Sequence, residues 1–207
     1  MRRSRLAVLA AVAVLFAGAV VLGQRDAQVS GVTTSQGANG AGGTSAAELA
    51  ALRTAAALEA CPTGLGPELP DLVLACLGGG PDVELRATAP GRPTLVNVWG
   101  SWCAPCAEEM PDLVAFHERA GDRVGLVGVL TTDTLERGLA FSRDFGKTWP
   151  SLVDDDGEVL RAFLPGPPVT LFLDAKGRVV HRQAGAFTDL AQLEALVAEH
   201  LLGGVLA

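Results

Sequence analysis

The stretch TLVNVWGSWCAPC, residues 94–106, decides how the rest of this 207-residue chain is read. Its first six residues are a short, mostly apolar run of the kind that a buried central strand gives. Its last four are Cys103-Ala104-Pro105-Cys106, and the segment from Cys106 to Arg119 reads as a helix. A cysteine pair of this spacing can be a metal ligand, a staple or a disulfide that opens and closes. A structural zinc site takes four ligands, usually as two such pairs. Cys61 and Cys76 stand too far apart in sequence to make a second pair, and His117, His181 and His200 are scattered. We therefore expect no metal and no cofactor, and we give no histidine a role. The redox reading fits better. At a helix start, Cys103 would meet unpaired backbone N–H groups and the positive end of the helix dipole, which stabilise a thiolate. Cys103 is then expected to be the exposed nucleophile. Cys106, one turn further in, is expected to be the shielded thiol that resolves a mixed disulfide. Pro105 suits the first helical turn, where its missing N–H costs nothing.

Working outward, RVGLVGVL (123–130) is a second buried strand, and Thr134 to Phe145 has helical spacing and ends at Gly146. VTLFLD (169–174) and RVVHRQAG (178–185) flank a turn at Ala175-Lys176-Gly177 and predict a hairpin. DLAQLEALVAEHLL (189–202) is a closing amphipathic helix. The order β-α-β-α-β-β-α predicts an α/β fold, a mixed central sheet flanked by helices. The two buried strands on either side of the first helix should be parallel. Upstream, LVLACL (72–77) and DVELR (82–86), separated by Gly78-Gly79-Gly80-Pro81, predict an N-terminal β-hairpin extension. AAELAALRTAAALEA (46–60) is a strong helix former that should stop at Cys61-Pro62.

Met1 to Arg5 is basic, and Leu6 to Leu22 is unbroken apolar sequence. At about 1.5 Å per residue, a helix of this length just spans a hydrocarbon core. Residues 1–23 are therefore expected to be a signal anchor, with its arginines in the cytoplasm and the rest of the chain outside. The alternative is a signal peptide cleaved at Ala17-Gly18-Ala19. Val20-Val21-Leu22 carries the apolar run past that site and favours the anchor. Residues 24–45, rich in Gly, Ala, Ser and Thr, read as a flexible linker. Residues 46–68 read as the Ala-rich helix and a connector, and 69–207 as the main domain. The net charge is −7, and the part beyond the first arginines is more acidic still. Such a domain is a poor partner for nucleic acid or an anionic lipid surface.

Trp99-Gly100-Ser101-Trp102-Cys103-Ala104-Pro105-Cys106 resembles the active-site motif of thioredoxins. The wider frame resembles the TlpA/ResA-like branch of membrane-anchored, extracytoplasmic thiol-disulfide oxidoreductases. The supporting residues are Asn97, Glu109, Pro111, Trp149-Pro150, Asp154-Asp155-Asp156-Gly157 and Pro168 to Asp174. The resemblance covers roughly residues 69–202 and implies a thioredoxin fold. It also implies that Pro168 is a cis-proline beside the redox pair, that Pro111 kinks the active-site helix, and that Glu109 is a carboxylate tuning thiol ionisation. The alternative for Glu109 is a solvated helix-start glutamate. Trp102 is expected to flank the reactive sulfur, and Trp99 to sit in the core. Trp102, Ala104, Pro105, Pro167 and Pro168 would line the substrate groove.

Three departures from the pattern stand out. Asn97 replaces the buried aspartate of thioredoxin, and an amide cannot shuttle a proton, so Glu109 or water must. Gly100 stands where the family usually has alanine, and Ala104 where thioredoxin has glycine. Pro167 has no N–H to donate to an incoming strand, which removes one substrate hydrogen bond worth about 0.5–1.5 kcal/mol.

With Cys103 and Cys106 paired, Cys61 and Cys76 remain for a structural disulfide tying the Ala-rich helix to the first strand. The resemblance implies a reductase of disulfides in exported proteins such as apocytochrome c, re-reduced by an integral-membrane thiol-reductant transporter. The alternative keeps the chemistry and reverses it, as an oxidase or isomerase. A copper-handling protein of this fold is expected to use Cys-x-x-x-Cys, one residue longer than the spacing here.

Overall fold

The structure, a computed structural model, describes residues 44–163 and 165–203. The expected anchor, 1–23, and nearly all of the expected linker lie outside the described residues. Ser45, the last linker residue, caps the first helix, α1 (Ala46–Ala56). Its hydroxyl accepts the Glu48 N–H, and the Glu48 carboxylate accepts the Ser45 N–H in return.

Among the described residues seven strands, β1 (Val73–Cys76), β2 (Val83–Glu84), β3 (Thr94–Trp99), β4 (Gly125–Thr131), β5 (Ser151–Asp154), β6 (Val169–Leu173) and β7 (Val179–Ala184), form one sheet in the order β2-β1-β5-β4-β3-β6-β7. At its centre β3, β4 and β5 run parallel. Every residue of these three strands is buried, because both faces of the sheet are covered. Alternation sends Leu95 and Trp99 to one core and Val96 and Val98 to the other. The first core receives Met110, Leu113 and Phe116 of α2 (Ala104–Ala120), Leu139 of α3 (Leu135–Phe145), and Leu193 and Val197 of α5 (Leu190–Leu201). The second core is closed by Val159 of α4 (Glu158–Ala162) and by Leu65, Leu69 and Leu85 from the N-terminal part. The hairpin of β6 and β7 is antiparallel to β3. The N-terminal hairpin of β1 and β2 joins the other edge, antiparallel to β5.

Two features differ from the sequence expectation. The Ala-rich helix ends at Ala56 rather than Ala60, because Ala57 takes a left-handed conformation (φ 50°) and returns its N–H to the Arg53 carbonyl. The next residues are drawn to the sheet: the Glu59 N–H donates to the Thr148 carbonyl, and Cys61 is bonded to Cys76. Tertiary contacts override propensity here. The β5–α4 pair was not anticipated. Four residues between Trp149-Pro150 and an acidic Gly-terminated run give too little period to detect. Asp154 builds the corner, its carboxylate accepting the N–H groups of Glu158, Val159 and Leu160 and the Thr131 hydroxyl.

One backbone crossing requires glycine on both sides. A Cβ on Gly66 would stand 2.4 Å from the Gly177 carbonyl, and one on Gly177 would stand 2.4 Å from the Leu65 carbonyl. This crossing seats the segment before β1 on the β6–β7 turn.

Candidate active site

Cys103 is the N-cap of α2, with extended backbone (φ −91°, ψ 105°), and Pro105 lies in the first turn. Cys103 and Cys106 are joined in a disulfide, with Cα atoms 5.3 Å apart. The Cys106 N–H donates to the Cys103 sulfur at 3.2 Å. One of the orphan donors of the helix start is thus aimed at the sulfur that would carry the thiolate after reduction. The exposure of Cys103 departs from expectation. Cys103 is only 4% exposed in this oxidised state, because its bond to the fully buried Cys106 draws the sulfur against α2. The exposed group is its neighbour Trp102, at 51%. Trp99 is fully buried, as its place in β3 requires.

Gly100 connects the two tryptophans. A Cβ there would lie 2.7 Å from Trp102 Nε1 and 2.8 Å from Cε2. The indole therefore folds back over a position that is open only because the residue is glycine.

Glu109, one turn beyond Cys106 on α2, is buried rather than solvated. Its Oε1 accepts from Asn97 Nδ2 at 2.9 Å and its Oε2 from the Phe187 N–H at 3.1 Å. Burial raises its carboxyl pKa from 4.5 to about 7, against the lowering effect of those two bonds. Asn97 also donates to Thr170 Oγ1 at 3.0 Å, and its Oδ1 has no partner among the described residues. Thr170 and the Phe187 N–H escaped sequence reading. The signal for Thr170 lies in register: it is the Cα partner of Asn97 across β3–β6, so two polar residues face each other inside the sheet.

The Pro167–Pro168 peptide bond is cis. Val169 pairs with Val98, so Pro168 falls at the end of the sheet where β3 leads into the Gly100–Cys106 loop. The fold therefore gathers Trp102, Cys103, Ala104, Pro105, Cys106, Pro167 and Pro168 at one end of the sheet, with Glu109 buried behind the cysteines. Cys61 and Cys76 form a separate disulfide linking the segment after α1 to β1. Among the described residues no three His, Cys, Asp or Glu side chains converge to hold a metal ion.

The profile of the Redoxin family matches residues 65–197. The thiol:disulfide interchange protein HelX of Rhodobacter capsulatus is 35% identical over 136 residues, covering 63% of this chain and 74% of that protein. The thiol-disulfide oxidoreductase ResA of Geobacillus thermodenitrificans is 33% identical over 138 residues, covering 63% and 75%. Among solved structures, a secreted Mycobacterium tuberculosis disulfide oxidoreductase homologous to E. coli DsbE superposes with a TM-score of 0.54. It is 23% identical and covers 62% of this chain and 96% of that one, a likeness of fold. A sheet of this order, a Cys-x-x-Cys disulfide opening its first long helix and a profile match across the folded body lead to one assignment: the chain belongs to the Redoxin family, as a TlpA/ResA-like thiol-disulfide oxidoreductase with the thioredoxin fold.

Proposed function

We propose that this protein reduces disulfides in exported proteins, apocytochrome c among them, while residues 1–23 tether it to the outer face of the cell membrane. The observation that carries this reading is the Cys106 N–H aimed at the Cys103 sulfur at the start of α2. In the reduced protein that donor and the helix dipole favour the Cys103 thiolate. The thiolate attacks a client disulfide, forming one S–S bond to the client and releasing one client thiolate. Cys106 then loses its proton and attacks Cys103, which breaks the mixed disulfide and frees the second client thiolate. Two electrons pass to the client, and the pair is left as the disulfide seen here.

Glu109 is the group suited to take the Cys106 proton. Its carboxyl titrates near 7, and it lies one helical turn away. Trp102, Ala104, Pro105, Pro167 and Pro168 form the client-binding rim, Pro167 withholding the N–H that a client strand would otherwise accept. Cys61–Cys76 is a structural bridge. Repeated turnover needs two electrons from inside the cell, supplied by an integral-membrane thiol-reductant transporter.

The test combines the reduction potential of Cys103–Cys106 with alkylation trapping of the pair in cells. A low potential and a mostly reduced pair support the reductase. A mostly oxidised pair with a high potential reverses the direction and makes the protein an oxidase.

A further inference from the structure

The strand–helix corner after β4 carries a residue that the exchange reaction as described does not use. Asp133 has a side chain with no solvent exposure. Its Oδ2 accepts the backbone N–H of Ser101 at 2.7 Å. Ser101 stands two residues before Cys103, inside a turn closed by the Cys103 N–H on the Gly100 carbonyl at 3.1 Å. That turn uses the Gly100 carbonyl and the Cys103 N–H, so the Ser101 N–H must find its partner elsewhere, and Asp133 supplies it. The other carboxylate oxygen, Oδ1, accepts the Thr134 N–H at 2.8 Å and meets Arg137 Nε at 3.1 Å. A buried carboxylate is thus held on three sides, and one of its bonds ends on the redox turn.

The residue before it is under backbone strain. Thr132 has φ 46°, a left-handed conformation that a β-branched side chain strongly disfavours. Its N–H is fixed on the Asp154 carbonyl at 3.0 Å, and the preceding Thr131 hydroxyl is fixed on the Asp154 carboxylate at 2.9 Å. The β5–α4 corner therefore clamps the chain in the disfavoured conformation. The next residue, Asp133, is thereby turned toward the redox turn. Strain held in place by neighbouring elements, next to a reacting group, is the pattern of a functional device.

We propose that Asp133 is a positioning residue of thiol–disulfide exchange: through the Ser101 N–H it holds the Gly100–Cys103 turn so that the Cys103 sulfur stays over the Cys106 N–H. Arg137 keeps the carboxylate aimed, and Thr132 sets its direction. The role belongs to the Cys103–Cys106 exchange itself and holds for either direction of electron flow.

The test uses the reduced full-length protein in detergent and measures Cys103 alkylation by iodoacetamide against pH, together with the equilibrium potential in glutathione buffers. Asp133→Ala removes the acceptor. Asp133→Glu keeps the charge but lengthens the arm by a methylene. Arg137→Met keeps the Ser101 bond but removes the counter-charge. Asp133→Glu should raise the Cys103 alkylation midpoint by about one pH unit, the size of losing the Cys106 N–H bond to the sulfur, and Asp133→Ala should raise it by less, because losing a carboxylate charge near a thiolate acts in the opposite direction. For the Glu variant, alkylation below the midpoint should slow about tenfold, and the potential should fall. Arg137→Met should move the midpoint by less than half as much. If the Glu variant behaves like wild type while Arg137→Met shifts the midpoint, Asp133 acts as a charge and the positional role is refuted. Lowered melting temperatures with unchanged midpoint and potential would likewise reduce Asp133 to a structural part. Should the Ala variant fail to fold, the Glu variant decides between these outcomes alone.

Discussion

Replacing Glu109 with glutamine should change how stability depends on pH, and the sign and size of the change follow from its burial. In the folded chain the carboxyl titrates at about 7, against an ordinary value of 4.5. Folding thus raises its proton affinity. Between pH 4.5 and 7 the native state holds more protons than the unfolded one, so stability falls as pH rises. The contribution is complete below 4.5 and is lost as pH climbs through 7. The gap between 4.5 and about 7, at about 1.4 kcal/mol per pH unit, corresponds to at most about 3 kcal/mol, and the expected change is about 2–3 kcal/mol. The Glu109→Gln variant keeps the shape and has nothing to titrate. Urea unfolding of the oxidised protein, followed by tryptophan fluorescence from pH 4.5 to 7.5, gives the stability of each form. The difference, wild type minus variant, should fall by about 2–3 kcal/mol across that range. Other titrations, such as that of His181, whose pKa is lowered by burial, occur in both proteins and cancel. A difference that stays flat would falsify the claim that burial raises the proton affinity of this carboxyl.

Gly100→Ala should push the Trp102 indole out of its place, since the new Cβ would lie 2.7 Å from Nε1. An exposed ring can move, so the cost should stay near 1 kcal/mol or below. Iodide quenching should show a more accessible tryptophan, and an unchanged quenching curve would contradict the packing described. Replacing both Cys61 and Cys76 by alanine opens a link between residues 15 apart, worth about 3 kcal/mol. The urea midpoint should drop accordingly while the Cys103–Cys106 potential is unmoved, and a loss below about 1 kcal/mol would remove the structural role. Lys147 is fully buried, its amine donating to the Trp149 carbonyl at 3.0 Å and to the Ser151 hydroxyl. Burial lowers its pKa from 10.5 to about 7, so the unfolded chain binds more protons between those values. Wild-type stability should therefore rise from pH 7 toward 10 and that of Lys147→Met should not, and equal slopes would show that the amine does not titrate in this window.

Local sequence could determine the set of pieces and the chemistry of one of them. Thr134 and Gly146 bracket α3 with a capping hydroxyl and a left-handed glycine, both readable from neighbouring residues. The strand, the cysteine spacing and the proline of residues 94–106 are equally local, which is why the redox pair was legible. Residues whose role depends on a distant partner were not. Ala57 ends α1 early because Thr148 and Cys76 hold Glu59 and Cys61 against the sheet. Thr170 meets Asn97, 73 positions away, through the β3–β6 register, and Asp133 meets Ser101 across 32 positions. A hydrophobic pattern records which face of an element is buried, but it does not record which residue lies opposite. Register and crossover geometry decide that, and they exist only once the sheet has formed.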